Sequence, residues 1–149
     1  MNEIIYILTG PTGVGKTEIA VNWAESNGAE IRLANHDEAL YTHPDDILDL
    51  IDDATSVVTL SHVEYSNGQR YDLRRFADAA HSVGALLIVD ATQSMGMVPI
   101  DAALSGADAI VSSGYKWLRG TYGAAVAYIS PEIRGGLTPG LLGFRSHVD

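Results

Sequence analysis

The residues whose spacing is most specific for chemistry are Gly10, Gly15, Lys16 and Thr17 in the segment GPTGVGKT. They satisfy the pattern G-x-x-x-x-G-K-[ST], the Walker A phosphate-binding loop, which requires a strand before it and a helix after it. The backbone N–H groups of Gly10, Thr12, Gly13, Val14 and Gly15 would converge on phosphate oxygens. Lys16 would neutralise the terminal phosphates and Thr17 would hold magnesium. A second candidate is Asp90, which closes the apolar run ALLIVD as the carboxylate of a Walker B strand does and would share that metal with Thr17. The expected ligand is ATP with magnesium or free phosphate, a small phosphate-bearing molecule in either case.

The elements that must position these groups are legible as an alternation. EIIYIL (3–8) reads as a buried strand, and Ile19, Ala20, Trp23 and Ala24 recur at helical spacing before an Asn27-Gly28 stop. Strands are predicted near 30–34, 56–63, 85–90, 109–112 and 124–130, the last stopped by Pro131. A helix begins near His43-Pro44 with Ile47, Leu48 and Ile51 on its buried face. Another carries Leu73, Phe76, Ala77, Ala80 and His81 and ends at Gly84. Alternating strands and helices with right-handed crossovers imply α/β architecture, a three-layer sandwich around a mostly parallel six-stranded sheet. The expected order is flavodoxin-like, 2-1-3-4-5-6 with strand 6 antiparallel, which puts the glycine loop at the switch between strands 1 and 3. Asp90 would then end strand 4, about 9 to 10 Å from the loop, with Ser61 and His62 between them.

Composition narrows the function classes. The chain has 149 residues, 46% of them hydrophobic and 19% charged, enough for one domain over 1–149. It contains no cysteine, which excludes thiolate metal sites and thiol nucleophiles. A formal charge of −10 argues against nucleic acid, whose phosphates are bound by Lys and Arg. No apolar stretch approaches the roughly 20 residues needed to span a bilayer, and the acidic N-terminus has no secretory pattern, so a cytoplasmic protein without a membrane partner is expected. The five histidines show no metal-ligand spacing. Asp45, Asp46, Asp49, Asp52 and Asp53 read as helix-start and solvated-face charges. Residues 135–149 read as a loop-like tail.

Two families are suggested by longer stretches. The segment IIYILTGPTGVGKTEIAVNWAESNGAE (4–30) resembles the N-terminus of tRNA dimethylallyltransferases, although Ile31 to His36 lacks the aspartate that family carries there. From about residue 31 the stretches LSHVEYSNGQRYDL, GALLIVDATQSMGMVPID and ADAIVSSGYKWLRGTYGAAVAYISPE resemble class V pyridoxal-phosphate enzymes, the aminotransferase and cysteine-desulfurase group. That resemblance implies that Lys116 forms the Schiff base, Asp90 holds the pyridinium nitrogen, Gln93 lies beside the ring hydroxyl and Ser113 contacts the phosphate. Tyr65 stands where desulfurases carry a ring-contacting asparagine, and the family's ring-stacking residue has no counterpart, so the resemblance implies an incomplete cofactor site. Arg70 and His81 take no role from it.

Together these observations lead to the expectation of an engineered chimera, a P-loop unit over 1–30 joined to a class V-like part over 31–149. Phosphate or nucleotide binding without efficient turnover is its expected property, rather than enzymatic activity. The alternatives are a residual pyridoxal-phosphate protein of the class V type and a structural chimera with neither site working.

Overall fold

The computed structural model describes residues 4–8, 26 and 28–137, the first five by their backbone. Its elements in chain order are β1 (Ile4–Leu8), β2 (Ala29–Leu33), α1 (Pro44–Leu48), β3 (Thr55–Ser61), α2 (Leu73–Ser82), β4 (Leu86–Asp90), α3 (Ala102–Ser105), β5 (Ala109–Ser113), β6 (Ala125–Ile129) and α4 (Pro131–Arg134). The strands form one sheet in the order β2-β1-β3-β4-β5-β6. β1 is parallel to β2 and β3, β3 to β4 and β4 to β5, while β6 runs antiparallel to β5. The chain is therefore an α/β protein with a mostly parallel sheet, as the alternation of its apolar runs implies.

The core lies where β3, β4 and β5 meet α2. Val58 and Leu60, Leu87 and Val89, and Ile110 are buried from the sheet side; Phe76, Ala77 and Ala80 come from α2 and Ile47 from α1. The α2 residues Leu73, Phe76, Ala77 and Ala80 are spaced i, i+3, i+4, i+7, so one stripe of the helix faces the sheet. Burying each large side chain is worth roughly 1.5–3 kcal/mol. Asp72 caps the helix by accepting a hydrogen bond from the Arg74 backbone N–H at 3.1 Å. After Val83, Gly84 takes a left-handed φ of 80° and turns the chain into β4.

Two expectations about ends need correction. Pro131 was expected to stop the last strand and does, but it also opens α4, occupying a first-turn position where a missing N–H costs nothing. The third strand ends at Ser61 rather than Val63, because the chain bends away there and Val63 bridges back to Arg70. Asp52 is likewise more than a solvated charge. It accepts a hydrogen bond from Arg32 Nη1 at 2.7 Å, while the same nitrogen reaches the Leu50 carbonyl at 3.0 Å and Arg32 Nε reaches Glu30 at 2.9 Å. This fork ties edge strand β2 to the turn after α1, and it holds the Asp52 carboxyl below the usual carboxylate range. Among the described residues no helix is long and apolar enough to cross a membrane.

Candidate functional site

The carboxyl ends of the parallel strands gather most of the chemistry-bearing side chains. Ser61 at the end of β3 lies in register with Asp90 at the end of β4, and the His62 backbone N–H extends the pairing by donating to the Asp90 carbonyl at 2.9 Å. Asp90 emerges from the most apolar strand of the chain. The strand keeps it at the sheet edge while Leu87 and Val89 are fully buried beneath. One of its oxygens, Oδ1, accepts from the Thr92 N–H at 2.8 Å, which fixes the carboxylate in the turn that follows.

That turn is pinned to the neighbouring strand. The Ala91 N–H donates to the Val111 carbonyl at 2.7 Å, and the Ser113 N–H donates to Thr92 Oγ1 at 3.1 Å. Asp90, Gln93 and Ser113 are thereby brought to one edge by two successive strand ends. Lys116 sits in the next loop, which closes on itself. Gly114 N–H donates to the Ala124 carbonyl, Gly120 N–H to the Gly114 carbonyl, each at 2.8 Å, and Arg119 N–H to the Lys116 carbonyl at 3.0 Å.

Two glycines make this packing geometrically necessary. A Cβ on Gly114 would lie 2.9 Å from the Ala124 carbonyl oxygen, and one on Gly96 would lie 2.8 Å from the Trp117 carbonyl oxygen. Gly96 also has a φ of 91°, a conformation L side chains rarely adopt. The backbone beside Lys116 thus rests directly on the loop after β4.

The structure therefore joins the loop after β4, which carries Gln93, to Ser113 through Thr92 and to the loop of Lys116 through the contact of Gly96 with Trp117. Asp90 Oδ2, the Gln93 amide, the Ser113 hydroxyl and Lys116 Nζ make no hydrogen bond or ion pair to the described residues, whereas Arg32, Arg74 and Arg75 each hold an acid. Tyr65 is exposed at 60%. His81 lies at the far end of α2, where its Nε2 meets Asp108 Oδ2 at 2.9 Å, a contact between helix and strand start. Gly10, Thr12, Gly13, Val14, Gly15, Lys16 and Thr17 lie outside the described residues. Among the described residues no group of three or more His, Asp or Glu is arranged to hold a metal ion.

The pattern of residue types did not single out a polar cluster just past β3. His62, Glu64 and Tyr71 are buried, and His62 Nδ1, Glu64 Oε1 and the Tyr71 hydroxyl have no hydrogen-bond partner among the described residues. Thr42 lies near the Tyr71 hydroxyl without a hydrogen bond of normal geometry. Burial, with a smaller contribution from the charge of Asp90, pushes the Glu64 carboxyl up to about 7. Burial likewise pushes Tyr71 up to about 12, and burial and the nearby Arg70 cation lower His62. A glutamate two places past a strand end reads as a solvated loop charge, so only its burial reveals it. His62 and Arg70 also line a cavity of about 500 Å³ with Asp72, Arg74 and Asp101.

The family model for class V aminotransferases matches residues 8–147, nearly the whole chain. The chain belongs to the class V aminotransferase family. A relative in this family, a probable cysteine desulfurase of Methanothermobacter thermautotrophicus, is 35% identical over 122 residues, covering 82% of this chain and 30% of that protein. The kynureninase of Pseudomonas fluorescens is 37% identical over 95 residues, covering 63% of this chain and 23% of that protein. Among solved structures, the apo cysteine desulfurase of Thermococcus onnurineus superposes with a TM-score of 0.82 at 23% identity, over 97% of this chain and 36% of that one. The chain spans about a third of the length of such relatives.

These matches overturn the reading as an engineered chimera. The class V match begins at residue 8, ahead of the glycine loop, and runs through it without a break near residue 30. Residues 8–30 lie within the range matched by the same family as the rest, so the P-loop and nucleotide-binding reading and the expectation of ATP with magnesium or free phosphate fall. A pattern extending over nearly the whole chain outweighs the short loop pattern. The metal reading of Thr17 with Asp90 has no remaining support.

Proposed function

We propose that this chain carries the cofactor-binding core of a pyridoxal-phosphate enzyme that acts on an amino-acid substrate. The observation that supports the reading is that the loops bearing Asp90, Gln93, Ser113 and Lys116 pack on one another past β4 and β5, and that the functional atoms of these residues have no partner among the described residues. The donor set fits the group in kind: an amine for an aldehyde, an anion for a ring nitrogen, an amide for a ring hydroxyl and a hydroxyl for a phosphate. When bound, the cofactor supplies an aldehyde that captures the substrate amine and a ring that accepts electrons from the adjacent carbon.

The chain's own residues then divide the work. Lys116 would hold the cofactor through its amine, and that amine is the group that could hold or move a proton beside it. Asp90 Oδ2 would accept from the ring nitrogen, and the Oδ1 contact with Thr92 N–H holds the carboxylate in place. Gln93 and Ser113 would orient the ring and its phosphate, the bond from Ser113 N–H to Thr92 Oγ1 joining the two segments that carry them. This reading takes residues 1–149 as one α/β unit. Its support is the family membership together with relatives named as a probable cysteine desulfurase and as kynureninases.

Titrating the chain with pyridoxal 5′-phosphate and following its near-visible absorption tests the reading. A saturable shifted band is expected in the unaltered chain and is lost in Lys116→Ala. Asp90→Asn is expected to weaken binding at least tenfold. The same spectrum in the unaltered chain and in Lys116→Ala would remove the basis for the assignment.

A further inference from the structure

The buried polar cluster past β3 is not used by the roles just assigned. Glu64 is 3% exposed, and among the described residues its Oε1 has no partner and no cation forms an ion pair with it. A buried carboxyl without a partner is costly as an anion and tolerable as a neutral acid. Its place is set by backbone contacts rather than by its own side chain. Glu64 N–H donates to the Gln69 carbonyl at 2.8 Å and Gly68 N–H donates to the Glu64 carbonyl at 3.0 Å. The turn so formed follows directly on His62, whose N–H is bonded to the Asp90 carbonyl.

The charged and titratable groups around Glu64 come from two directions. Asp90 acts on it from β4, and Glu64 in turn acts on Tyr71 at the entry to α2, which Tyr41 also influences. Asp90 is exposed and Glu64 is sealed, so of two carboxyls that repel each other the buried one keeps the proton.

We propose that Glu64 is a positioning residue for Asp90: as a neutral acid it leaves Asp90 the single negative charge facing the ring nitrogen, and on losing its proton it adds a second. The inference rests on the pyridoxal-phosphate reading for its target, and on burial and adjacency for its mechanism. Its midpoint of about 7 puts the change within the neutral range. The proton leaves Glu64 for solvent, and the added charge keeps the ring nitrogen protonated to higher pH.

Two measurements separate this inference from the reading beneath it. Carboxyl-carbon NMR titration of the chain without cofactor should give Glu64 a midpoint near 7 that falls in Asp90→Asn, since the Asp90 charge opposes its ionisation. A midpoint at the value of an exposed glutamate, or one unmoved in Asp90→Asn, overturns the coupling. With pyridoxal 5′-phosphate bound, the absorption band should show a transition near pH 7 that Glu64→Gln lacks, with attachment at Lys116 retained. Identical pH profiles in the two proteins overturn the role toward the ring. If the unaltered chain forms no band at all, the cofactor reading and the role toward the ring fail together, while the NMR midpoints still decide the coupling.

Discussion

Glu64 gives this protein a pH signature that can be read without any ligand. Its folded midpoint of about 7 stands above the ordinary 4.5, so between those values the folded chain binds more protons than the unfolded chain. The contribution to stability is complete below about pH 4.5 and is lost as pH rises through 7. Comparing the unaltered chain with Glu64→Gln by urea unfolding at pH 4.5 and pH 8 should therefore show a gap opening at the higher pH. The unaltered chain should lose up to about 2–3 kcal/mol relative to the variant. Equal pH dependence in both would mean that the carboxyl is solvated. The class V resemblance pointed to Asp90, Gln93, Ser113 and Lys116, because its pattern extends over long stretches around them. It did not show Glu64, since burial of a loop acid depends on how the turn over 64–69 folds back.

At the scale of elements, the site depends on two loops resting on each other through glycine. Gly96→Ala should place a methyl against the Trp117 carbonyl and force φ away from 91°. Thermal or urea unfolding should show a loss of roughly 1–3 kcal/mol, and cofactor affinity should fall with it because the Lys116 loop is displaced. Loss of stability with unchanged affinity would show that the loop contact does not position Lys116. The core beneath the site behaves as ordinary packing. Phe76→Ala removes a fully buried ring that packs edge-on against Tyr71 at 5.7 Å, and should cost about 3–5 kcal/mol in urea unfolding. The strands and α2 were legible because their apolar periods are long and uninterrupted, as in ALLIVD and in Leu73 to Ala80. The short α3 and α4 were less so, since four residues carry little periodicity and their caps, Asp101 with Gly106 and Ser130, resemble ordinary turns.

For the whole molecule, the lesson concerns the weight of local and extended patterns. GPTGVGKT satisfies the sequence pattern of a phosphate loop, yet the family match extends from residue 8 to residue 147. Pyridoxal 5′-phosphate should accordingly raise the melting temperature, because a ligand that binds only the folded state stabilises it by mass action. ATP with magnesium should leave the melting temperature unchanged, and a rise of several degrees with ATP would reopen the discarded assignment. Because the chain has only two lysines, Lys16 and Lys116, covalent trapping can discriminate between its two glycine-flanked loops. The most direct test of the account is borohydride reduction of the chain with stoichiometric pyridoxal 5′-phosphate, followed by peptide mass mapping. The account predicts a single reduced adduct on Lys116, lost in Asp90→Asn at the same cofactor concentration; adducts shared equally by Lys16 and Lys116, or unaffected by the Asp90 substitution, would contradict it.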